Sequence, residues 1–205
     1  RLGYMFFYSA DKWLADPAML IRIWEGGMSF HGGLVGVAIA ILIYSRKYQI
    51  SFLALTDFAT PLVPTGLLFG RLGNFIGQEL YGRPTDAPWG MVFPADPEQL
   101  TRHPSQLYEA ALEGLLLFLV INWFARKPRL YGHVTGLFLI LYGIFRFAVE
   151  FVRQPDAQFL GQSSLVESFS WMTRGQTLCI PMILLGFWFM RKSLQQLFDN
   201  SVSSS

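Results

Sequence analysis

Long apolar stretches alternate with short polar ones along this chain, and their lengths set the first expectations. Four runs, Phe30–Tyr48, Phe52–Phe69, Leu107–Phe124 and Val134–Val152, come close to the roughly 20 residues a helix needs to cross a bilayer. A fifth, Thr177–Met190, is shorter and contains Pro181. Leu2–Tyr8 is apolar but too short to span, and reads as the end of a helix that begins before Arg1. Pro61 and Pro64 predict a bend in the second run. The pattern predicts an all-α fold, a polytopic integral membrane helix bundle occupying 1–198 as one domain. A polar insert at 77–106 interrupts it, and a polar, low-complexity tail at 199–205 is expected to be disordered.

Basic residues give the spans a direction. Arg46 and Lys47 follow one span, Arg126, Lys127 and Arg129 another, and Arg191 and Lys192 the last. All these clusters fall on one side, which Arg1 also fits, and the positive-inside rule makes that side cytoplasmic. The longer segments Ser9–Ser29, Gly77–Gln106 and Arg153–Gln176 then face outward, with Trp13, Trp24, Trp89 and Trp171 as interface aromatics. Composition agrees: 52% of residues are hydrophobic and 15% charged, against about 25% charged in a soluble domain. The net charge of +2 is too small and scattered for a nucleic-acid binder. Cys179 is the single cysteine and sits in an apolar run, where it reads as a small core residue. His31, His103 and His133 are far apart in sequence and His133 lies on the inner side, so no metal set is evident and no cofactor is expected.

The ionisable residues collect at the outer ends of the spans. His31 begins one helix; Arg71 ends the next, and Glu79 and Arg83 follow it. His103 precedes a span that contains Glu109 and Glu113, and Arg146 and Glu150 lie near the end of the following one, with Arg153 beyond. Such groups are costly in a span, usually face the bundle interior and often mark function. Tyr142, Arg146 and Glu150 are four apart and share one helix stripe, as do Glu109 and Glu113. A carboxylate pair can do acid–base work, but at this depth, for Glu113 above all, it reads rather as the partner of arginines on neighbouring helices. Glu79, Glu109 and Glu150 are the candidates to hold those arginines. Asp57, at the other end of its span, reads as a cap. Gly32 and Gly36 have the spacing that permits close helix approach, and amides near His31 are placed to meet an anion at a helix start. Two arginines facing an outer-leaflet cavity suit a phosphate, because the guanidinium is a planar fork that keeps its charge. In a bilayer that phosphate belongs to a lipid headgroup. Chemistry alone leaves a lipid-phosphate enzyme, a lipid transporter, or a scaffold whose charges only hold helices together. A transporter would be expected to carry inverted repeats, and none is visible.

"GRLGNFIGQELYG", at Gly70–Gly82, resembles the signature of the prolipoprotein diacylglyceryl transferase family, roughly G-R-x-G-N-F-x-N-x-E-x-x-G. It matches at Gly70, Arg71, Gly73, Asn74, Phe75, Glu79 and Gly82, and departs at Gly77, where the family has asparagine. "GGMSFHGGL" around His31, "HPSQLYE" at His103–Glu109 and "LYGIFRFAVEFVRQPD" at Leu141–Asp156 extend the resemblance over most of the chain. The family also has an N-terminal transmembrane part that is expected to precede this sequence. The resemblance implies an enzyme of the bacterial inner membrane with its active face toward the periplasm. It moves the diacylglyceryl group of phosphatidylglycerol to the thiol of a preprolipoprotein's lipobox cysteine and releases glycerol phosphate. On that basis Arg71 and Arg146 are expected to clamp the phosphate, and His31 or His103 to form the thiolate, the choice staying open. Asn74, Glu79, Gly82, Tyr142 and Glu150 are expected to bind or position the headgroup. The nucleophile comes from the substrate, Cys179 has no role, and one compact bundle is expected to work as a monomer.

Overall fold

The structure, a computed structural model, describes residues 1–8, 16–26, 29–154 and 173–203; side chains at 6–8, 30–31, 174 and 193–203 fall outside the description. It divides into two compact units, Arg1–Leu55 and Thr56–Ser205. In the first, helix α1 (Leu2–Tyr8) packs on α2 (Phe30–Tyr48) through glycine. A Cβ on Gly3 would stand 2.9 Å from the Gly32 Cα, so the backbones touch. Gly32 therefore does serve close approach, whereas Gly36 meets nothing within 4 Å among the described residues. Ser29 caps α2 by accepting a hydrogen bond from the Gly32 amide at 3.3 Å. Arg46 and Lys47 occupy the last turn, where they complement the carbonyl end of the helix, and Gln49 closes it in the left-handed region at φ 54°.

The second run forms α3 (Phe52–Ala59), a 3-10 turn at Thr60–Leu62 and α4 (Val63–Ile76). The tightened turn carries Pro61, which cannot donate the helical hydrogen bond. The helical stretch Phe52–Ile76 is long and apolar enough to cross a membrane, as is Ser105–Ala125. The former outruns its apolar run, which ends at Phe69, by two turns that include Arg71 and Asn74. Ser105–Ala125 is not a uniform helix. It is α5 (Ser105–Glu109), a π-helical stretch Ala110–Leu116, and α6 (Leu117–Ala125). In the π stretch the bonding lengthens, as where Leu117 N–H reaches the Leu112 carbonyl. Gly114 lies in it, and a Cβ there would meet Leu68 Cβ at 2.7 Å. This contact brings α4 and the π stretch together, with Arg71 one turn beyond Leu68 and Glu113 next to Gly114.

Helix α7 (His133–Val149) and helix α8 (Arg174–Ser203) pack antiparallel through small residues. A Cβ on Gly136 would stand 2.8 Å from the Gly186 carbonyl oxygen, and one on Gly186 would stand 2.6 Å from that of Gly136. Gly143 likewise admits Ile183. The last helix reaches further at both ends than the apolar run Thr177–Met190. It runs on through Asn200–Ser203 of the segment expected to be a tail, while residues 204–205 lie outside the description. Leu117, Ile121 and Val134 form the buried core between α6 and α7, flanked by Phe138, Leu141, Tyr142 and Phe145. Asp57 caps another helix than its own: its carboxylate accepts from the Gly132 amide at 2.7 Å and the Thr135 amide at 2.8 Å, at the start of α7.

Between α4 and α5 the polar insert holds one small antiparallel pair, β1 (Met91–Val92) and β2 (Thr101–Arg102). The pairing continues sideways. Thr85 N–H donates to the Thr101 carbonyl at 2.9 Å, His103 N–H to Arg83 at 3.0 Å, and Gly82 N–H to His103 at 2.9 Å. Arg83 N–H then donates to the Val152 carbonyl at 2.8 Å, just past the end of α7, and Gly82 bridges Arg153. A short ladder of extended backbone thus ties the insert to the end of α7.

Candidate active site

Glu109 is the centre of the charged cluster. It is fully buried, and its Oε2 lies 2.6 Å from Arg71 Nε on α4 and 3.1 Å from Arg146 Nη1 on α7. Its Oε1 lies 3.7 Å from Arg153 Nε. Glu150 adds a contact of 2.9 Å to Arg146 Nη2 and accepts from Thr173 Oγ1 at 3.0 Å. Gly175 on α8 lets the Glu150 carboxylate in, since a Cβ there would stand 2.6 Å from it. Glu113 is also fully buried, but its nearest guanidinium nitrogens are 3.8 Å (Arg71) and 3.9 Å (Arg146) away. Among the described residues neither of its carboxylate oxygens accepts a hydrogen bond.

The electrostatic sense follows from burial. A charge removed from water must be paired and hydrogen-bonded. Arg71 persists within α4 because a buried carboxylate faces it from the next helix. The side chains of Arg71 and Arg146 are 19% and 14% exposed, against 1% for Glu109. Both arginine side chains are thus more exposed than the acid they share. An arginine carries five N–H donors, and among the described residues Arg71 makes one close ion pair, through Nε, with Glu113 farther off at 3.8 Å from Nη2.

The other sequence candidates divide into groups. Asn74 Nδ2 donates to Glu79 Oε1 at 3.2 Å, and Gln106 Nε2 to the Glu79 carbonyl at 2.8 Å. Among the described residues Glu79 therefore pairs with Asn74, not with an arginine, while Glu109 and Glu150 hold the arginines. Tyr142 stands one turn before Arg146 and stacks on Phe138, ring centres 5.7 Å apart. Gly82 lies in the ladder, where a Cβ would come within 2.7 Å of both Val152 O and His103 O. The His103 Nδ1 and the Tyr108 hydroxyl are 3.2 Å apart, and Trp89 Nε1 donates to that same hydroxyl at 2.8 Å. His31 belongs to the first turn of α2 in the other unit, and its side chain falls outside the described ones. The amide of Gly32 beside it is taken by Ser29. Cys179 is buried, its Sγ 3.1 Å from the Gly175 carbonyl. Among the described residues no three of His, Cys, Asp and Glu are grouped to hold a metal ion.

One cluster escaped the sequence reading. In the insert, Asp96 and Arg102 are 1% and 3% exposed. Arg102 donates from Nε to Asp96 Oδ2 at 2.6 Å and from Nη2 to Oδ1 at 3.2 Å, and it also pairs with Glu98. The Tyr81 hydroxyl donates to Asp96 Oδ1 at 3.2 Å, and the guanidinium lies 4.9 Å from the Tyr81 ring centre. The amides of Glu98 and Leu100 donate to the same carboxylate. The Arg102 fork, opposed in part by burial and helped by those amides, holds Asp96 down to about 2 from the ordinary 3.8. Arg102 is raised in return by Asp96. Burial first, and then the Asp96 charge, push Tyr81 up.

The family model described as prolipoprotein diacylglyceryl transferase matches residues 1–192. The chain belongs to this family. Among its relatives is the phosphatidylglycerol–prolipoprotein diacylglyceryl transferase of Teredinibacter turnerae, 61% identical over 186 residues, which are 91% of this chain and 63% of that protein. The Acinetobacter baylyi protein of the same name is 52% identical over 199 residues, 96% of this chain and 71% of its own length. That of Ectopseudomonas mendocina is 56% identical over 186 residues, 91% and 68% respectively. The chain thus spans less than two thirds of the first of these diacylglyceryl transferases. The family signature at Gly70–Gly82 occupies the end of α4 and the entry to the insert, and "HPSQLYE" enters α5. The two signature regions therefore meet where Arg71 pairs with Glu109.

Proposed function

We propose that this protein transfers the diacylglyceryl group of phosphatidylglycerol to the thiol of the lipobox cysteine of a preprolipoprotein, releasing glycerol phosphate. The observation that carries this reading is the convergence of Arg71 and Arg146 on the buried Glu109 from two helices, each arginine side chain being partly exposed. Arg71 and Arg146 hold the phosphodiester of the lipid. The sulfur of the peptide cysteine attacks the glyceryl carbon that carries the phosphate. The carbon–oxygen bond breaks, and charge builds on the departing glycerol phosphate between the two guanidiniums. His31 or His103 takes the thiol proton, since the thiolate is the reactive form. Asn74, Glu79, Gly82, Tyr142 and Glu150 position the headgroup or the arginines.

The setting is part of the proposal. Residues 1–198 act as one catalytic domain in the bacterial inner membrane, multi-pass and monomeric. The basic ends of the spans face the cytoplasm, and the Arg71 cluster and the 77–106 insert face the periplasm. The test uses folded protein in one detergent, phosphatidylglycerol and a cysteine-bearing lipobox peptide, and follows glycerol phosphate release together with peptide mass. Both products are expected from the intact protein. Arg71→Ala or Arg146→Ala should lower both about 100- to 1000-fold, the effect of removing one preorganised donor. Near-normal turnover in either folded variant sinks the clamp, and lipid binding with neither product from the intact protein sinks the reaction.

A further inference from the structure

We infer that Asp96 and Arg102 are positioning residues for the site, acting through the backbone ladder of the insert. The inference rests on the reaction proposed above and adds to it a pair of side chains that touch no reacting atom. The geometry begins with the sequence neighbours of the knot that Asp96, Arg102 and Tyr81 form. Arg102 is followed directly by His103, and Tyr81, which shares the Asp96 carboxylate, is followed directly by Gly82. The knot therefore fixes the two chain segments that carry Gly82 and His103 at the same point. From there the ladder runs outward: Gly82 N–H to His103 O, His103 N–H to Arg83 O, and Arg83 N–H to Val152 O. Arg83 Nε adds a bond of 3.0 Å to the Arg153 carbonyl. Arg153 in turn reaches Glu109, the acid that holds Arg71 and Arg146.

The packing explains why the link transmits position. Phe93, 3% exposed, stacks on Tyr81 with ring centres 5.4 Å apart and meets Phe75 of α4 edge-on at 6.1 Å. One side of the knot is thus seated on the helix that bears Arg71 and Asn74. Its other side is strapped to the end of the helix that bears Arg146 and Glu150. Gly82 leaves no slack in the strap, since a Cβ there would clash with Val152 O and His103 O. A bidentate guanidinium–carboxylate pair also fixes orientation, which a lysine cannot reproduce. Misplacing a catalytic group by about 1 Å, from a change remote from the chemistry, costs about 100-fold.

The experiment compares intact protein with Asp96→Asn, Arg102→Lys and the reversed pair Asp96→Arg with Arg102→Asp, all in one detergent. Two readouts are taken: steady-state transfer, and amide exchange at Gly82, Arg83 and His103. In Asp96→Asn the three amides should exchange faster, while the melting temperature of the helical part stays put. Its kcat should fall about 100-fold with the KM for phosphatidylglycerol within about twofold. Arg102→Lys should fall between the two, and the reversed pair should recover part of the loss. Unchanged exchange at all three amides in folded Asp96→Asn overturns the inference, as does a kcat that falls only in step with the folded fraction. Absence of transfer by the intact protein overturns the proposed reaction instead, and amide exchange then decides the positioning role by itself.

Discussion

Glu109→Gln removes one charge and almost no volume, so it isolates the electrostatic role of the buried acid. Three guanidinium nitrogens lie 2.6, 3.1 and 3.7 Å from its carboxylate oxygens. At an effective dielectric constant of about 20, each such contact is worth about 4–6 kcal/mol of attraction before desolvation. Desolvation of the carboxylate offsets much of this, and the measured effect of breaking a buried pair by removing one partner is about 3–5 kcal/mol. That is roughly a 100- to 5,000-fold shift toward the unfolded state, and a large share of the about 5–15 kcal/mol that holds a typical protein folded. Glu113→Gln is the internal control. Its carboxylate is equally buried, but its cations stand at 3.8 and 3.9 Å and among the described residues no hydrogen bond is lost, so it should cost about half as much. Unfolding both variants and the intact protein by SDS titration in mixed micelles gives the comparison. A loss below about 1 kcal/mol for Glu109→Gln, on a scale where surface pairs contribute about that much, would refute the placing of Glu109 at the centre. Equal losses in the two variants would refute the distance argument.

Gly186→Leu should loosen the last two helices by at least about 1–3 kcal/mol, since its first side-chain carbon meets a carbonyl oxygen at 2.6 Å; limited proteolysis near the α7–α8 contact reads this out. Asp57→Ala should cost about 0.5–2 kcal/mol, the worth of a helix cap, and speed exchange of the Gly132 and Thr135 amides that it now binds. The Asp96 contribution should be pH-dependent in a fixed direction. Its folded value lies near 2, below the ordinary 3.8, so its stabilisation is fully present above about 4. It is lost as pH falls through about 2. Protection of the Gly82, Arg83 and His103 amides in intact protein and in Asp96→Asn should therefore converge over that window and stay apart above it; equal protection at neutral pH would contradict the pairing.

The apolar runs announced the helices because bilayer-length stretches of hydrophobic residues leave few alternatives. The pairing of Glu109 with arginines of other helices was legible too, since an acid within an apolar run needs a counter-charge. The end of α4 was not. Arg71 and Asn74 look like the close of a span when hydropathy is read locally, and it is Glu109, on another helix, that lets the helix continue past Arg71. Asp96 and Arg102 were missed for the opposite reason. In a polar insert a charge reads as a solvated surface group, and nothing local tells that Tyr81 and Phe93 will bury it. The ladder escaped because its strands are too short for alternation to register. Glu79 stands apart from the arginines among the described residues and pairs instead with Asn74, five residues before it, a choice between partners that sequence spacing does not make.

The π-helical stretch sets a phase. Each residue of an α-helix turns the chain by about 100°, and the longer bonding of Ala110–Leu116 offsets what lies before it from what lies after. Glu109 and Gln106 lie on one side of this offset, and Leu117 and Ile121, locked in the core against α7, on the other. The helix is thus geared in two halves, one indexed to the charged cluster and one to the apolar core. Removing a single residue from the stretch would restore a regular helix and swing Glu109 away from Arg71 without touching either side chain. A change of length there would be read as a rotation, and the cluster would come apart with every one of its residues still present.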